Sequence, residues 1–168
     1  QLGGAGQAAA MARLDTERDN LLAALAWCAD DRDGPGARAA AELGLRLGFA
    51  LRPYWLNRGL VSLWRDTTLR LLDHPAAQRR DGMRAQALFF AGQIACFMGR
   101  HEEATGQLTE SLAIAQDTGD AAREAAVLQP LSMAAVGLGD FAAARRHALG
   151  AVAAARALAN PRALSSAL

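Results

Sequence analysis

A stride of 40 residues constrains this chain more than any other feature of its sequence. Shifting the sequence forward by that stride lays Gly99 on Gly139, Ala104 on Ala144, Leu88 on Leu128, Leu112 on Val152 and Ala115 on Ala155. Shifting it back lays Gly99 on Gly59 and Leu112 on Leu72. A fixed period of this length marks stacked helical hairpins, none of which can bury its apolar face alone. Between the glycines, apolar residues recur at three- and four-residue steps, and nowhere do they alternate long enough for a strand. The expectation is an all-α chain of about seven or eight helices in antiparallel pairs.

Taken in order, residues 1–12 read as a linker or frayed start, with Gly3, Gly4 and Gly6 but no buried strand ahead of them to make a phosphate-cradling loop. The helical domain is expected over 13–168. Leu14, Leu21, Leu25 and Cys28 make a stripe widened by Leu22, with Thr16 or Asp19 as cap for a restart. Hairpins follow over roughly 37–73, 81–117 and 120–158. In the first, Leu43, Leu47, Leu51 and Trp55 are expected inside, Pro53 predicts a kink, and Gly59 suits a left-handed cap. Leu63, Trp64, Leu71 and Leu72 line its second helix, and Asp73-His74-Pro75 opens a polar connection. Asp81 caps the helix to Met98, and 101–117 is its partner. Asp120 caps a helix to Leu138 that buries Leu128, Leu131, Ala135 and Leu138 and should kink at Pro130. Gly139 turns into the helix from Phe141 to Leu158. Asn160-Pro161 then opens a further helix from 161 that is cut short, so the sequence reads as a piece of a longer protein.

Composition narrows the function. Apolar residues make up 52% and charged residues 21%, as in a packed helical protein. The net charge of +1 gives no strong field toward nucleic acid or an anionic membrane, so direct binding to either is not expected. All 18 basic residues other than histidine are arginine. Cys28 and Cys96 sit alone on apolar faces, as small hydrophobes in a reducing cytoplasm would. No run reaches the roughly 18 apolar residues of a membrane span, and no secretory signal opens the chain.

Helices approach to roughly 8–10 Å only where the contact side chains are small. Gly92, Ala104 and Ala144 occupy such points in the register, and Leu88, Leu108, Leu112, Leu128 and Leu131 fill the space between hairpins.

This order of small residue, glycine corner and alanine five positions on resembles the tetratricopeptide repeat. One copy runs from Ala85 to Ala115 with Leu88, Gly92, Gly99, Ala104 and Leu112. A second runs from Ala125 to Ala155 with Leu128, Leu131, Gly139, Asp140, Phe141, Ala144, Ala151 and Val152; it carries Ser132 where the repeat prefers glycine. The copy around Gly59 is divergent, with Arg52 at the small position and Trp64 at the alanine position, and the stride is longer than the usual unit. The segments Leu14 to Trp27 and Leu45 to Gly59 also look like the lead-in to the repeats of large bacterial signalling ATPases, transcriptional regulators of the antibiotic-regulator and large LuxR types. The resemblance implies a right-handed superhelix of stacked pairs serving as a sensor array, with ATPase and DNA-binding modules elsewhere in the parent chain.

Catalysis is not expected. His74, His101 and His147 are scattered, Glu102-Glu103 and Asp30-Asp31 are adjacent pairs rather than opposed carboxylates, and no Gly-x-Ser-x-Gly elbow occurs. No metal or cofactor is called for. The repeat register instead puts Arg46, Phe49 and Pro53, then Gln86, Phe89, Gln93 and Phe97, then Gln129 and Met133 on a concave face. Amides among aromatics suit a peptide or a small polar effector. Trp27, Tyr54, Trp55 and Trp64 are expected in the core. The function expected is a non-enzymatic interaction and sensor module whose partner is a protein or peptide, the parent's own ATPase domain, or a small-molecule effector. The alternatives are a self-associating homo-oligomeric scaffold and an accessory domain of a cyclase or kinase.

Overall fold

The computed structural model describes residues 6–30 and 34–157, and among these every regular element is helical. The helices are α1 (Gln7–Thr16), α2 (Arg18–Asp30), α3 (Ala37–Ala50), α4 (Arg52–Asn57), α5 (Val61–Leu72), α6 (Gly82–Phe97), α7 (His101–Thr118), α8 (Ala121–Gly137) and α9 (Phe141–Ala157), with one turn of 3-10 helix at Pro75–Ala77. They form two compact units, Gln1–Gln78 and Arg79–Leu168.

The predicted corner glycines all adopt the left-handed conformation, with φ of +67° at Gly59, +72° at Gly99 and +76° at Gly139; Gly119 joins them at +69°. Each corner closes alike. Leu60, Arg100, Asp120 and Asp140 donate their N–H groups to the carbonyls of Trp55, Ala95, Ala115 and Ala135, five residues back, at 2.8–2.9 Å. That bond satisfies a carbonyl the helix end would otherwise orphan, and a Cβ would strain the glycine that makes it possible. Asp81 caps α6 as expected, its Oδ1 accepting from the N–H groups of Met83 and Arg84 at 3.1 Å. Asp120 caps α8 through the N–H of Arg123 at 2.9 Å.

In the second unit α6 pairs with α7 and α8 with α9, while α8 also packs on α7 and α6. A Cβ on Gly92 would stand 2.5 Å from Leu108 Cγ and 3.3 Å from the Ala104 carbonyl, so these helices touch backbone to side chain. Ser111, fully buried, donates to the Ala85 carbonyl at 2.6 Å. Both contacts are symmetric about Met98, which fixes the antiparallel register. In the next hairpin Ser132 donates to the Ala144 carbonyl at 2.9 Å, a pair symmetric about Leu138, 40 residues on. Ser132 thus takes the place of Gly92 and bonds the carbonyl equivalent to that of Ala104. The interior here is Leu88, Ile94, Ala104, Leu108, Ile114, Val127, Leu131 and Ala134.

In the first unit α2, α3 and α5 pack on one another. A Cβ on Gly44 would lie 2.5 Å from Leu71 Cδ2 and 2.8 Å from Cys28 Cβ. Tyr54 and Trp55 are each 1% exposed, and the Trp55 indole N–H donates to the Gly48 carbonyl at 3.2 Å. The Tyr54 hydroxyl and the Arg58 guanidinium converge on Asp15, with Arg58 Nε and Tyr54 Oη both 3.0 Å from Oδ1 and Arg58 Nη2 2.5 Å from Oδ2, which fastens α1 to α4. The Arg58 hydrogen bond, ahead of burial, which acts in the opposite direction, holds the Asp15 carboxyl below its ordinary value of 3.8. A depressed carboxylate pKa contributes stability above the unfolded value, and that contribution fades as pH falls through the folded one. Asp15→Asn is therefore expected to lower the melting midpoint at pH 7 and to converge on the wild type as pH drops below about 4. Melting curves from pH 2 to 7 check this; a gap that persists unchanged at pH 2 would contradict it.

Several expectations are corrected. Residues 7–12 are helical, with Met11 3% exposed, because α1 begins at Gln7 rather than 13. The helix expected over 37–57 is two: it breaks at Leu51, and Pro53 lies in the first turn of α4, where no N–H is needed. That break and the one at Glu17 give nine α-helices among the described residues in place of seven or eight. Leu43 is 55% exposed, because α3 turns Ala40, Ala41, Gly44 and Gly48 inward for close approach. Leu138, at a corner, is 47% exposed, and Val127 takes the interior instead. Trp27 leaves the core at 60% exposed, whereas Tyr54, Trp55 and Trp64 are buried. The connection after α5 is less polar than it reads, since His74 is fully buried, its Nδ1 accepting from the Ala76 N–H at 3.1 Å. α8 runs unbroken through Pro130, which is buried. Asn160-Pro161 lies outside the described residues.

Candidate interaction surface

The residues predicted for a binding face divide between the two units. Arg46, Phe49 and Pro53 belong to the first, on α3 and the start of α4. Arg46 and Pro53 are exposed and Phe49 is 40% exposed, near Leu43 and Leu56 on the same elements. The other six share α6 and α8 in the second unit. These helices run in parallel because α7 returns the chain between them, and two contacts tie them directly. The Cys96 thiol donates to the Pro130 carbonyl with Sγ and oxygen 3.6 Å apart, and the Arg123 guanidinium lies 5.5 Å from the centre of the Phe89 ring.

The helical period explains what this face displays. Gln86 and Gln93 are two turns apart on α6, both half-buried, and Phe97 follows one turn on at 73% exposed. Gln129, also half-buried, donates from Nε2 to Met133 Sδ at 3.1 Å, and Met133 is 43% exposed. Phe89 behaves differently from its prediction. It is only 9% exposed, covered by Arg123 and edge-on to Phe90 with centroids 5.1 Å apart, so it supports the face without forming it.

Sequence reasoning missed Arg123. Its side chain is 19% exposed, and Nε has no hydrogen-bond partner among the described residues; the nearest carboxylate oxygen, Asp120 Oδ2, is 3.9 Å away. Burial pushes its pKa down, with Asp120 acting the other way. Reading α8 against α6 with parallel packing would have brought Arg123 toward Phe89, but no period in the sequence singles it out.

Also missed was the apolar character of the corners. Met98, Val136, Leu138 and Phe141 are 38%, 53%, 47% and 71% exposed. Between the two corners lies an open cleft of about 540 Å³ lined by Gly99, Arg100, His101, Glu102, Glu103, Gly137 and Leu138. There the His101 ring rests against the Gly137 backbone so closely that a methyl group at 137 would overlap it.

Among the described residues no three His, Cys, Asp or Glu side chains group as metal ligands, and no helix is long and apolar enough to cross a membrane. Cys28 and Cys96 are free and buried, and burial raises both thiol pKa values. Comparison with protein-family models, with curated proteins and with solved structures found no match.

Proposed function

We propose that this chain is a non-enzymatic interaction and sensor module of a bacterial cytoplasmic transcriptional regulator, and that the α6–α8 face is where it meets its partner. A protein or peptide, including the regulator's own ATPase domain, or a small-molecule effector held there would bias how the array engages the ATPase and DNA-binding modules. One observation carries the reading. Three half-buried amides, Gln86, Gln93 and Gln129, stand beside the exposed apolar side chains of Phe97 and Met133 on two parallel helices. Amides give direction to a bound chain and exposed apolar groups give it area. The resemblance of the Leu14–Trp27 and Leu45–Gly59 segments to regulator lead-ins supports the parent. Buried free thiols suit a reducing compartment.

Thermal melting against peptide and metabolite libraries tests this. A true ligand at about 100 times its Kd should raise the midpoint by roughly 5–10 °C, and Gln93→Ala should abolish the shift. A shift that persists in Gln93→Ala, or none from any compound, would remove the face from the account.

The scaffold reading draws on the exposed corner residues Val136, Leu138 and Phe141. Light scattering over a dilution series decides it, since self-association requires the mass to rise with concentration.

A further inference from the structure

We propose that Arg123 anchors a carboxylate subsite on the α6–α8 face, and that the occupant is an extended acidic peptide whose large apolar residue lies about three to four positions from the anchoring carboxylate. This rests on the interaction reading above and adds to it the chemistry and spacing of the ligand.

The argument begins with an unfinished ion. A guanidinium carries five N–H donors in a planar fork and is costly to bury without acceptors. Arg123 is four-fifths buried by side-chain exposure, yet Nε finds no acceptor among the described residues, and Asp120 Oδ2 at 3.9 Å is beyond hydrogen-bond reach. The other Asp120 oxygen is engaged by the Arg123 N–H at the helix start. Arg84, the other basic side chain on α6, already binds Glu110 at 2.7 Å. The aromatic face of Phe89 holds the Arg123 fork, so its rotameric freedom is spent before any ligand arrives. A fork held this way is complementary to a carboxylate, which accepts two parallel N–H bonds.

The remainder of the face sets the spacing. Phe97 follows Phe89 by eight residues of α6, which is about 12 Å along the axis. An extended peptide covers that in three to four residues at about 3.3 Å each. Phe97 and Met133, exposed at that end, would take the apolar side chain, and Gln93, one turn beyond Phe89, stands between the two points to bond the peptide backbone.

The test uses fluorescein-labelled Ser/Ala peptides of about ten residues, each carrying one Glu and one Leu separated by one to six positions, with Gln counterparts, read by anisotropy. The tightest binding is expected at a separation of three or four. Exchanging the peptide's Glu for Gln, or Arg123→Gln in the protein, should each weaken it by about tenfold or more. Arg123→Glu should instead prefer a Lys-bearing peptide. Melting curves report whether the variants fold; if Arg123→Gln does not, the Glu-against-Gln comparison on the wild type decides. Binding that is lost in Gln93→Ala but indifferent to Glu and to Arg123 overturns this subsite alone. Failure of every peptide, Glu and Gln alike, overturns the interaction face with it.

Discussion

Gly92→Ser is expected to destabilise the second unit by about 1–3 kcal/mol and Leu108→Ala by about 2–5 kcal/mol, yet the double variant should cost at least about 0.5–1 kcal/mol less than their sum. The single changes fail for opposite reasons. A Cβ at 92 meets Leu108 Cγ at 2.5 Å and Cδ2 at 2.8 Å, so the helices must part. Removing the fully buried Leu108 side chain leaves a void instead. Together they reproduce what the next hairpin already has. Forty residues on from Gly92 and Leu108 stand Ser132 and Ala148, and the Ser132 hydroxyl donates to the Ala144 carbonyl at 2.9 Å. In the double variant the introduced hydroxyl has the Ala104 carbonyl as its equivalent acceptor. Urea denaturation of the four proteins gives the coupling; strict additivity would mean that the two hairpins do not share one packing solution.

Trp55→Ala should cost the first unit about 3–5 kcal/mol, among the largest effects expected of any single substitution in it. The side chain is 1% exposed, stands edge-on to Tyr54 with centroids 5.4 Å apart, and its indole N–H satisfies the Gly48 carbonyl at the end of α3. Truncation therefore opens a cavity and orphans an acceptor in one step. Trp55→Phe, which keeps most of the volume and loses the donor, should cost about 1–3 kcal/mol. Trp27→Ala is the control, since a side chain 60% exposed should change stability by no more than about 0.5 kcal/mol. Equal losses at Trp27 and Trp55 in denaturant curves would contradict the assignment of the core.

What the sequence made legible depended on how local the physics was. The corners were legible because only glycine adopts left-handed φ without cost, so Gly59, Gly99 and Gly139 announce themselves. The caps at Asp81 and Asp120 were equally plain, since one side-chain oxygen and two or three backbone steps decide them. The buried faces were less so. In α3 the leucines drew attention, but a helix approaching α2 and α5 closely must present Ala40, Ala41, Gly44 and Gly48, and Leu43 is then turned outward. Size is a poor guide to burial where small residues make the contact. The face of α8 was displaced for a related reason: Val127 and Ala134 lie between helices, while Leu138 belongs to the corner. The binding face was half legible. The spacing of Gln86, Gln93 and Phe97 follows from the helical period, whereas the covering of Phe89 by Arg123 needs the neighbouring helix, which no local pattern supplies.

The central claim is that hairpin corners recur every 40 residues with one backbone geometry, and a glycine-to-alanine series tests it most directly. Ala at 59, 99 or 139 must take a left-handed conformation, and each change should cost about 1–2 kcal/mol. Gly106 is exposed within α7, has ordinary φ and has nothing within 4 Å of an added Cβ, so Gly106→Ala should gain about 0.5–1 kcal/mol. The account predicts that split in sign, with losses of similar size at the three corners. Corner variants that gain stability as Gly106→Ala does would contradict it.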